Sequence, residues 1–442
     1  CHALTRLAVY ETIDPLERKP LHAKVAQLLI DRDPTSAREQ AATIAYHLDA
    51  AEHPEACRWW CIAGRDALTQ SAISEARAMA DHALAALDRI HDERERRKAE
   101  LECHLLRGAV FTLLKGGGAE ETADAYERVA QLHRHDDEPD MHFQLHWGEW
   151  VVAFNTQPHS QALRVAENLL AHAEQHDSDV VLGTAQYAIG HTRLFMGDAA
   201  RAERWLRIAL QTLGKRGIAN PSMSTWGVER ANSTRGMLAW VLALQGRDDE
   251  GLEIAQEGLD GPAKPGQLPS RALCQAVLAE VHRLRGDVEN TQAAALALKE
   301  ITETTDLPFW RALADGLIGW ASARRGDPRG VHAMEYAVKV AGRAMPIWQA
   351  PLELLLADSY STLGEAELAL QGVERAGALI EHYGTQLIRG AYLYQKGMAL
   401  AGRGEAELAA SHWQQAIVES RRLGLSRYAQ RAEVLLNADA AS

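Results

Sequence analysis

The sequence has little proline, few Phe and Tyr residues, and no long apolar run. Of its 442 residues, 14 are Pro, 5 are Phe and 10 are Tyr. No uninterrupted apolar run approaches the roughly 18–20 residues that a membrane-spanning helix needs, and no signal peptide opens the chain. We therefore expect no membrane partner.

Cysteine is also scarce, and its spacing argues against a disulfide framework. The five cysteines, Cys1, Cys57, Cys61, Cys103 and Cys274, form an odd and scattered set without a Cys-x-x-Cys pair. Such usage fits a reducing compartment, so we expect a cytoplasmic protein. Cys57 and Cys61 would lie one helical turn apart, and we interpret them as small buried residues.

Negative charge exceeds positive charge. The formal net charge is −13, from 60 acidic and 47 basic residues. An acidic surface repels the phosphate backbone of nucleic acids, so direct nucleic-acid binding is not expected. The same argument favours a cationic or neutral partner over a polyanion.

Motifs for catalysis and cofactor binding are also missing. A phosphate-binding loop needs Gly-x4-Gly-Lys-Ser/Thr, and the nearest segment, Lys115–Ala119, lacks the Lys and the hydroxyl at those places. His142 and His146 have an i, i+4 spacing that can bind a metal, but no Cys or paired carboxylate joins them at ligand spacing. We interpret them as surface histidines. The sequence therefore predicts a chain that is not an enzyme and has no metal site and no cofactor of its own.

Ala and Leu dominate the composition, and a Gly followed by a polar residue recurs at regular intervals. Ala and unbranched side chains lose little rotamer freedom in a helix, so the composition favours α-helix. From residue 190 onward the Gly-polar pairs lie 49, 40, 40, 38 and 40 residues apart. They are Gly197-Asp198, Gly246-Arg247, Gly286-Asp287, Gly326-Asp327, Gly364-Glu365 and Gly404-Glu405. This period predicts repeated helical hairpins.

Each Gly-polar pair is suited to end one helix and begin the next. Gly supplies the left-handed backbone that stops a helix, and the polar residue beside it can cap the following helix. In three units a second Gly lies seven residues earlier, at Gly190, Gly319 and Gly397. A mid-helix Gly costs about 1 kcal/mol relative to Ala, so we expect these glycines to allow close approach of the two helices.

This Gly-x6-Gly-Asp/Glu-x3-Ala pattern resembles the tetratricopeptide repeat, although the unit has about 40 residues instead of 34. The prediction is an all-α, right-handed superhelical tetratricopeptide-type solenoid of about nine helical hairpins over residues 51–442. A closing helix is expected near residues 426–438. Earlier hairpins are expected at about 54–90, 93–135 and 139–176, and loops at 116–118, 214–224 and 260–269.

The opening residues differ from the repeats. They include the segments His2–Glu11, Leu21–Ala26, Ala45–His47 and Trp59–Gly64. This succession resembles the end of a winged-helix region and the first repeats of large bacterial STAND-type signalling ATPases. Among these, it is most similar to the versions attached to class III nucleotide cyclases or to maltose-activator transcription factors. The resemblance implies a winged-helix-like end and leading helices over residues 1–50.

The same resemblance sets expectations about partners. In that family the repeats receive a signal, as a small molecule or a protein, and relieve inhibition of the ATPase. The nucleotide-binding residues would lie upstream of this chain, so ATP is expected only in a missing domain. The chain begins at Cys1 without Met, which suggests a piece of a longer protein whose own nucleotide-binding domain is a partner.

The tetratricopeptide resemblance also predicts a binding surface, because the first helix of each hairpin lines the concave groove. The residue six positions before each turn Gly should face this groove, which selects His191, Trp240, Glu280, Trp320, Asp358 and Met398. Positions ten before the Gly add Tyr187 and Tyr394, and a position three before adds Arg283. Aromatic and charged residues along one strip suit an amphipathic ligand or an extended peptide. The alternative is that each Trp fills a gap between helices.

A second aromatic cluster, Trp147, Trp150 and Phe154, has i, i+3, i+7 spacing, and we interpret it as core. Two functions remain open. The first is a non-catalytic sensor and scaffold of an ATPase-coupled signalling or transcription regulator, with its effector in the concave groove. The second is a stand-alone adaptor that assembles protein partners. Residues 2–26 favour the first, because an adaptor has no need for the end of a winged helix.

Overall fold

The computed structural model describes residues 10–175, 177–214, 229–260 and 267–439 of the chain. Within these ranges the regular elements are helical, and no β-strand occurs. In chain order the α-helices are α1 (Pro15–Arg32), α2 (Pro34–Glu39), α3 (Ala41–Ala50), α4 (Ala56–Thr69), α5 (Ile73–Ala85), α6 (Glu93–Leu114), α7 (Glu120–Leu132), α8 (Pro139–Thr156), α9 (His159–Ala173), α10 (Asp179–Phe195), α11 (Ala199–Leu213), α12 (Arg230–Leu244), α13 (Asp248–Glu257), α14 (Leu268–Arg285), α15 (Val288–Glu303), α16 (Pro308–Arg324), α17 (Gly330–Ala344), α18 (Gln349–Thr362), α19 (Ala366–Tyr383), α20 (Arg389–Gly402), α21 (Ala406–Arg422) and α22 (Ser426–Asp439). In the part of the chain so described, no helix is long and apolar enough to cross a bilayer.

Consecutive helices from α4 to α21 pair as nine hairpins, and α22 packs against the last of them. We number the hairpins 1 (α4 and α5) to 9 (α20 and α21), and we call the two helices of each hairpin the A helix and the B helix. The prediction of an all-α tetratricopeptide-type solenoid with a closing helix is confirmed. The expected loop residues 215–224 and 261–266 lie outside the described residues.

The six turn glycines that were predicted to end A helices all have positive φ. Their φ angles lie between 79° and 87°, in the left-handed region that Gly occupies without steric cost. The polar neighbour caps the next helix at Asp198 and Asp287, whose carboxylates accept hydrogen bonds from the backbone N–H groups of Arg201 and Asn290. The Glu neighbours in hairpins 8 and 9 make no such bond, because short Asp, Asn and Ser side chains reach the backbone best.

The glycines expected to allow close helix approach do so. A Cβ placed on Gly190 or Gly397 would lie 2.9 Å or 2.4 Å from a side-chain atom of its B helix. In hairpin 7, a Cβ on Gly319 would lie 2.3 Å from the carbonyl oxygen of Gly330. At this position the backbones of the two helices are in direct contact, so neither residue can carry a side chain without separating them.

The solenoid closes on itself, so that hairpins about five apart come into contact. The backbone N–H of Gly118, in the turn of hairpin 2, donates to the carbonyl oxygen of Ala344 at the end of hairpin 7, at 3.0 Å. The backbone N–H of Gln386, between hairpins 8 and 9, donates to the carbonyl oxygen of Phe195 in hairpin 4, at 2.9 Å. We call hairpins 1–5 the first turn and hairpins 6–9 with α22 the second turn.

Side chains repeat this pattern along the seam between the two turns. The contacts join hairpin 1 to the linker after hairpin 6, hairpin 3 to the linker after hairpin 8, and hairpin 5 to α22. They are Ser74 Oγ to Asp306 Oδ2 at 2.9 Å, His159 Nε2 to Thr385 Oγ1 at 2.9 Å, and Ser426 Oγ to the carbonyl oxygen of Gln245 at 2.6 Å. The first turn therefore supports the second along most of its length.

The helices before hairpin 1 extend its core. His22 in α1 hydrogen-bonds His47 in α3, with 2.7 Å between the two Nδ1 atoms. Ala26 and Ile44 are fully buried in a cluster that continues into α4, α5 and α6. Residues 2–9, which carry the first part of the winged-helix resemblance, lie outside the described residues, and the boundary at residue 50 stays a prediction.

Gly319→Ala should destabilise the chain, although Ala is the better helix former. The added Cβ would lie 2.3 Å from the Gly330 carbonyl oxygen, and overpacking of this kind typically costs about 1–3 kcal/mol. Gly372→Ala is the matched control in α19, because its Cβ would meet only atoms at 3.4 Å or more. There the gain in helix propensity of up to about 1 kcal/mol should prevail. Thermal midpoints that fall equally in both variants would contradict this account.

Gly116→Ala should open the seam between the two turns. Its Cβ would lie 2.1 Å from the carbonyl oxygen of Ala344, so hairpin 7 would have to move away from hairpin 2. Gly326→Ala is the control with matched backbone strain. Gly116 and Gly326 both have positive φ, and an alanine in that conformation costs roughly 1–2 kcal/mol at either position. A Cβ on Gly326 meets nothing within 4 Å. Small-angle scattering should show a larger radius of gyration for Gly116→Ala alone, and an equal radius in both variants would refute the contact.

Candidate ligand-binding cavity

The A helices surround two cavities inside the closed superhelix. The first cavity has a volume of about 170 Å³ and is lined by residues from six successive hairpins, 2 to 7. Its walls include the aromatic residues Trp147, Trp150, Tyr187 and Phe309, with Arg230 as the cation. We call it the arginine cavity. Engineered apolar cavities of about 150 Å³ bind benzene, so this space is large enough for an aromatic ring.

The second cavity is smaller and lies among hairpins 5 to 9 and α22. It has a volume of about 70 Å³ and contains the charged pair Glu280 and Arg283. These charges satisfy each other, because Arg283 donates from Nε and an Nη to the two carboxylate oxygens of Glu280, at 2.6 and 2.7 Å. We call it the ion-pair cavity. Its small volume and paired charges indicate a structural role.

Arg230, by contrast, packs against aromatic rings and is not fully satisfied by the described residues. Its guanidinium carbon lies 4.3 Å from the ring centre of Trp147 and 4.9 Å from that of Tyr187. Among the described residues its buried Nε has no hydrogen-bond acceptor. The Tyr187 hydroxyl and the adjacent Glu229 carboxylate favour its charged form, but that carboxylate accepts hydrogen bonds from the backbone N–H groups of Ala231 and Asn232 at the start of α12. Burial lowers the pKa of Arg230. A cation held in apolar surroundings without an anion is costly, so the site is electrostatically suited to a carboxylate or another anion.

His191 is the second unsatisfied group in the arginine cavity. Its ring is 4.5 Å from that of Phe154 and 5.3 Å from that of Tyr187. Neither ring nitrogen has a hydrogen-bond partner among the described residues. Burial, with smaller effects of His159 and Arg230, lowers the pKa of His191 to about 3. A neutral imidazole offers one donor and one acceptor, and here both are available to a ligand.

Five of the nine residues predicted to line the groove do line these cavities. Tyr187 and His191 line the arginine cavity, and Trp240, Glu280 and Arg283 line the ion-pair cavity. They form part of an enclosed interior and not an open strip, because the second turn covers the concave face. Trp240, for example, is 4% exposed and stacks on Trp348 with 5.0 Å between ring centres.

The other four predicted residues line neither cavity. The indole N–H of Trp320 donates to Asp358 Oδ2 at 2.7 Å, and Asp358 Oδ1 accepts from Gln395 Nε2 at 3.0 Å. Tyr394 and Met398 pack against a small core that hairpin 9 shares with α22. Trp320 therefore fits the alternative that a tryptophan fills a gap between helices, because its indole N–H is hydrogen-bonded within the protein.

Sequence reasoning missed Arg230 as a cavity residue and assigned Trp147 and Trp150 to the core alone. Both tryptophans are buried, as predicted, at 6% and 4% exposure, and they also form the cavity wall. The helix period could have identified Arg230. Ser233 lies seven residues, or two helical turns, before Trp240, and Arg230 lies about one turn before Ser233, so all three share one face of α12.

The histidine pair His142 and His146 is held by protein partners. His142 Nδ1 lies 2.8 Å from His133 Nε2, and His146 Nδ1 lies 2.8 Å from a carboxylate oxygen of Glu149.

Comparison with known proteins supports the architecture. No family model matches the chain, and no curated protein sequence matches it. Among solved structures, it is similar to a Rap protein complexed with Competence and Sporulation Factor, with a TM-score of 0.61 at 11% identity, over 84% of this chain and 99% of that one. It is also similar to the apo form of the quorum sensor NprR from B. thuringiensis, with a TM-score of 0.48 at 10% identity, over 82% of this chain and 98% of that one.

At such low identity a likeness concerns the fold alone, and a TM-score below 0.5 carries no argument. The match to the Rap protein therefore supports the class of the fold, an all-α solenoid of tetratricopeptide-type repeats. The function of this chain has to be argued from its own cavity.

Acid should destabilise the chain partly through His191. The unfolded state binds this proton near pH 6.5 and the folded state only near pH 3, so stability is lost as the pH falls below 6.5. The loss is up to about 1.4 kcal/mol per pH unit, or about 2 kcal/mol by pH 5. In His191→Leu this part of the loss should vanish, as measured by urea unfolding at pH 7 and pH 5. His332→Leu, at a side chain 85% exposed, should keep the full acid sensitivity, and equal behaviour of the two variants would refute the assignment.

Proposed function

We propose that the chain is a non-catalytic sensor that binds an effector with an apolar body and a carboxylate in the arginine cavity. The observation that carries this proposal is Arg230, a cation packed against Trp147 and Tyr187 whose buried Nε has no hydrogen-bond acceptor among the described residues. A bound carboxylate would remove the cost of the unpaired charge, and the aromatic walls would bind the apolar part.

The position of the cavity suggests how binding would become a signal. Its lining comes from hairpins 2–5 of the first turn, through Trp147 and Tyr187 for example, and from hairpins 6 and 7 of the second turn, through Pro269 and Phe309. A ligand in contact with both turns binds the closed superhelix more tightly than an open one. This differential affinity is what a conformational response requires.

A structural neighbour is compatible with this role. The Rap protein to which the chain is similar was solved as a complex with Competence and Sporulation Factor, so a solenoid of this shape can hold a partner. By analogy, the effector here is a small molecule or a segment of a protein. Its anchoring group in the arginine cavity is an acidic one, such as a free carboxylate.

The regulator context extends the proposal. We infer from the winged-helix and STAND resemblance that the chain serves a cytoplasmic ATPase-coupled signalling or transcription regulator, whose own nucleotide-binding domain would be its partner and would bind ATP. Sequencing the parent reading frame upstream of Cys1 tests this. A Gly-x4-Gly-Lys-Ser/Thr motif in a βαβ context supports it. A start codon within a few residues of Cys1 favours the adaptor instead.

Binding of a carboxylate can be tested with paired probes. We expect 3-phenylpropionate to quench tryptophan fluorescence and raise the thermal midpoint, and its carboxamide to do so at least tenfold more weakly, because only the acid pairs with Arg230. Loss of a charge-assisted hydrogen bond typically costs about 1.5–3 kcal/mol, which is a factor of roughly 10–100 in affinity.

Arg230→Met should remove the preference for the acid while retaining weak binding of the ring. Arg324→Met is the matched control, since Arg324 also lies over a tryptophan, Trp320, at 5.9 Å, but on the exposed surface. The control should bind like the parent protein. Equal affinity for acid and amide in the parent, or an unchanged preference in Arg230→Met, would refute the assignment.

A further inference from the structure

Three cysteines far apart in the sequence meet at the interface between hairpins 1 and 2. Cys57 and Cys61 lie on successive turns of α4, and Cys103 faces them from α6. Cys103 Sγ lies 3.5 Å from Cys57 Sγ and 3.5 Å from Cys61 Sγ. All three side chains are at most 1% exposed.

The sulfur triangle has the size of a three-coordinate metal site. The three Sγ atoms all lie within 4.8 Å of one another. An ion at about 2.3 Å from each of three sulfurs in one plane would place the sulfurs about 4.0 Å apart. Rotamer adjustments of a few tenths of an ångström would therefore seat an ion without a change in the backbone. A disulfide, with about 2.05 Å between its sulfurs, would require a larger movement.

The number of ligands distinguishes between soft metals. Among the described residues, no His, Asp or Glu offers a fourth ligand atom to this group. Zinc takes four ligands, and a three-ligand zinc site keeps an open position for water. Complete burial of the sulfurs leaves no access for that water. Thiolates also select monovalent copper, which is stable with three sulfur ligands alone.

An ion pair flanks the cluster on the same two helices. Arg65 follows Cys61 by one helical turn, Glu102 directly precedes Cys103, and their side chains lie 3.4 Å apart. Because these two charges balance each other, the positive charge that offsets the thiolates would come from the bound ion.

We propose that Cys57, Cys61 and Cys103 form a buried site for one monovalent copper ion, bound through three thiolate sulfurs. The ion would join the A helices of hairpins 1 and 2 at the start of the solenoid. When the ion binds, each of the three thiols becomes a thiolate, its proton is released to solvent, and no sulfur is oxidised. This site departs from the expectation that the chain holds no metal.

The first test measures stoichiometry and affinity. Protein carrying Cys1→Ser, reduced and kept under anaerobic conditions, is titrated with Cu(I) in competition with bicinchoninate. We expect one tightly bound equivalent. Changes that merely reorient a ligand cost about 10–100-fold in affinity, so loss of a ligand in Cys103→Ser should cost roughly 100-fold or more. Cys274→Ser is the matched control, because Cys274 is equally buried but hydrogen-bonds the carbonyl oxygen of Asn232 at 3.1 Å. It should bind like the parent.

The second test counts ligands without relying on a core variant. X-ray absorption of the copper-loaded protein should show three sulfur neighbours at about 2.3 Å and no nitrogen or oxygen neighbour. Failure to bind one equivalent, equal affinity in Cys103→Ser, or fewer than three sulfur neighbours would overturn the proposal. Tighter binding of Zn(II), with a fourth ligand in its spectrum, would overturn the choice of ion.

Discussion

Backbone hydrogen bonds between the two turns of the superhelix hold the shape on which the interior depends. They join the turn of hairpin 2 to the end of hairpin 7, through Gly118 and Ala344, and hairpin 4 to the linker after hairpin 8, through Phe195 and Gln386. Buried backbone groups must find such partners. Because these partners lie about five hairpins apart, the solenoid forms a closed spiral whose concave face becomes an interior.

That closure places groups of different character in two cavities of one interior. In the ion-pair cavity Arg283 is matched by Glu280 at 2.6 Å, so nothing is required from outside. In the arginine cavity Arg230 has aromatic rings around it, and its buried Nε has no hydrogen-bond acceptor among the described residues. The unsatisfied polar groups, more than the shape of the cavity, are therefore the reason why we propose this cavity as the binding site. The thiol cluster shares α6 with this cavity, since Cys103 and the cavity residue Ala109 lie on the same helix.

Much of the fold could be predicted because its signals are local. A Gly with positive φ ends a helix whatever surrounds it, and the period of such glycines marked six of the nine hairpins. The helix register selected Tyr187 and His191, which line the arginine cavity. It missed Arg230, which lies within the one interval, from Gly197 to Gly246, that has 49 residues instead of about 40. It also missed Trp348, which lies in a single-turn 3-10 helix, Pro346–Trp348, between hairpins 7 and 8.

The sequence by itself determined the helices, their pairing into hairpins and the close contacts at Gly190, Gly319 and Gly397, because these depend on residues within about one repeat of each other. Only the tertiary structure decided which faces become buried, that the Nε of Arg230 finds no hydrogen-bond acceptor among the described residues, and that Cys103 meets Cys57 and Cys61. The physical reason is that each hairpin packs on the next at a small angle. The path of the superhelix is the sum of these angles, and contacts between residues some 200 positions apart, such as His159 and Thr385, then select one closed spiral.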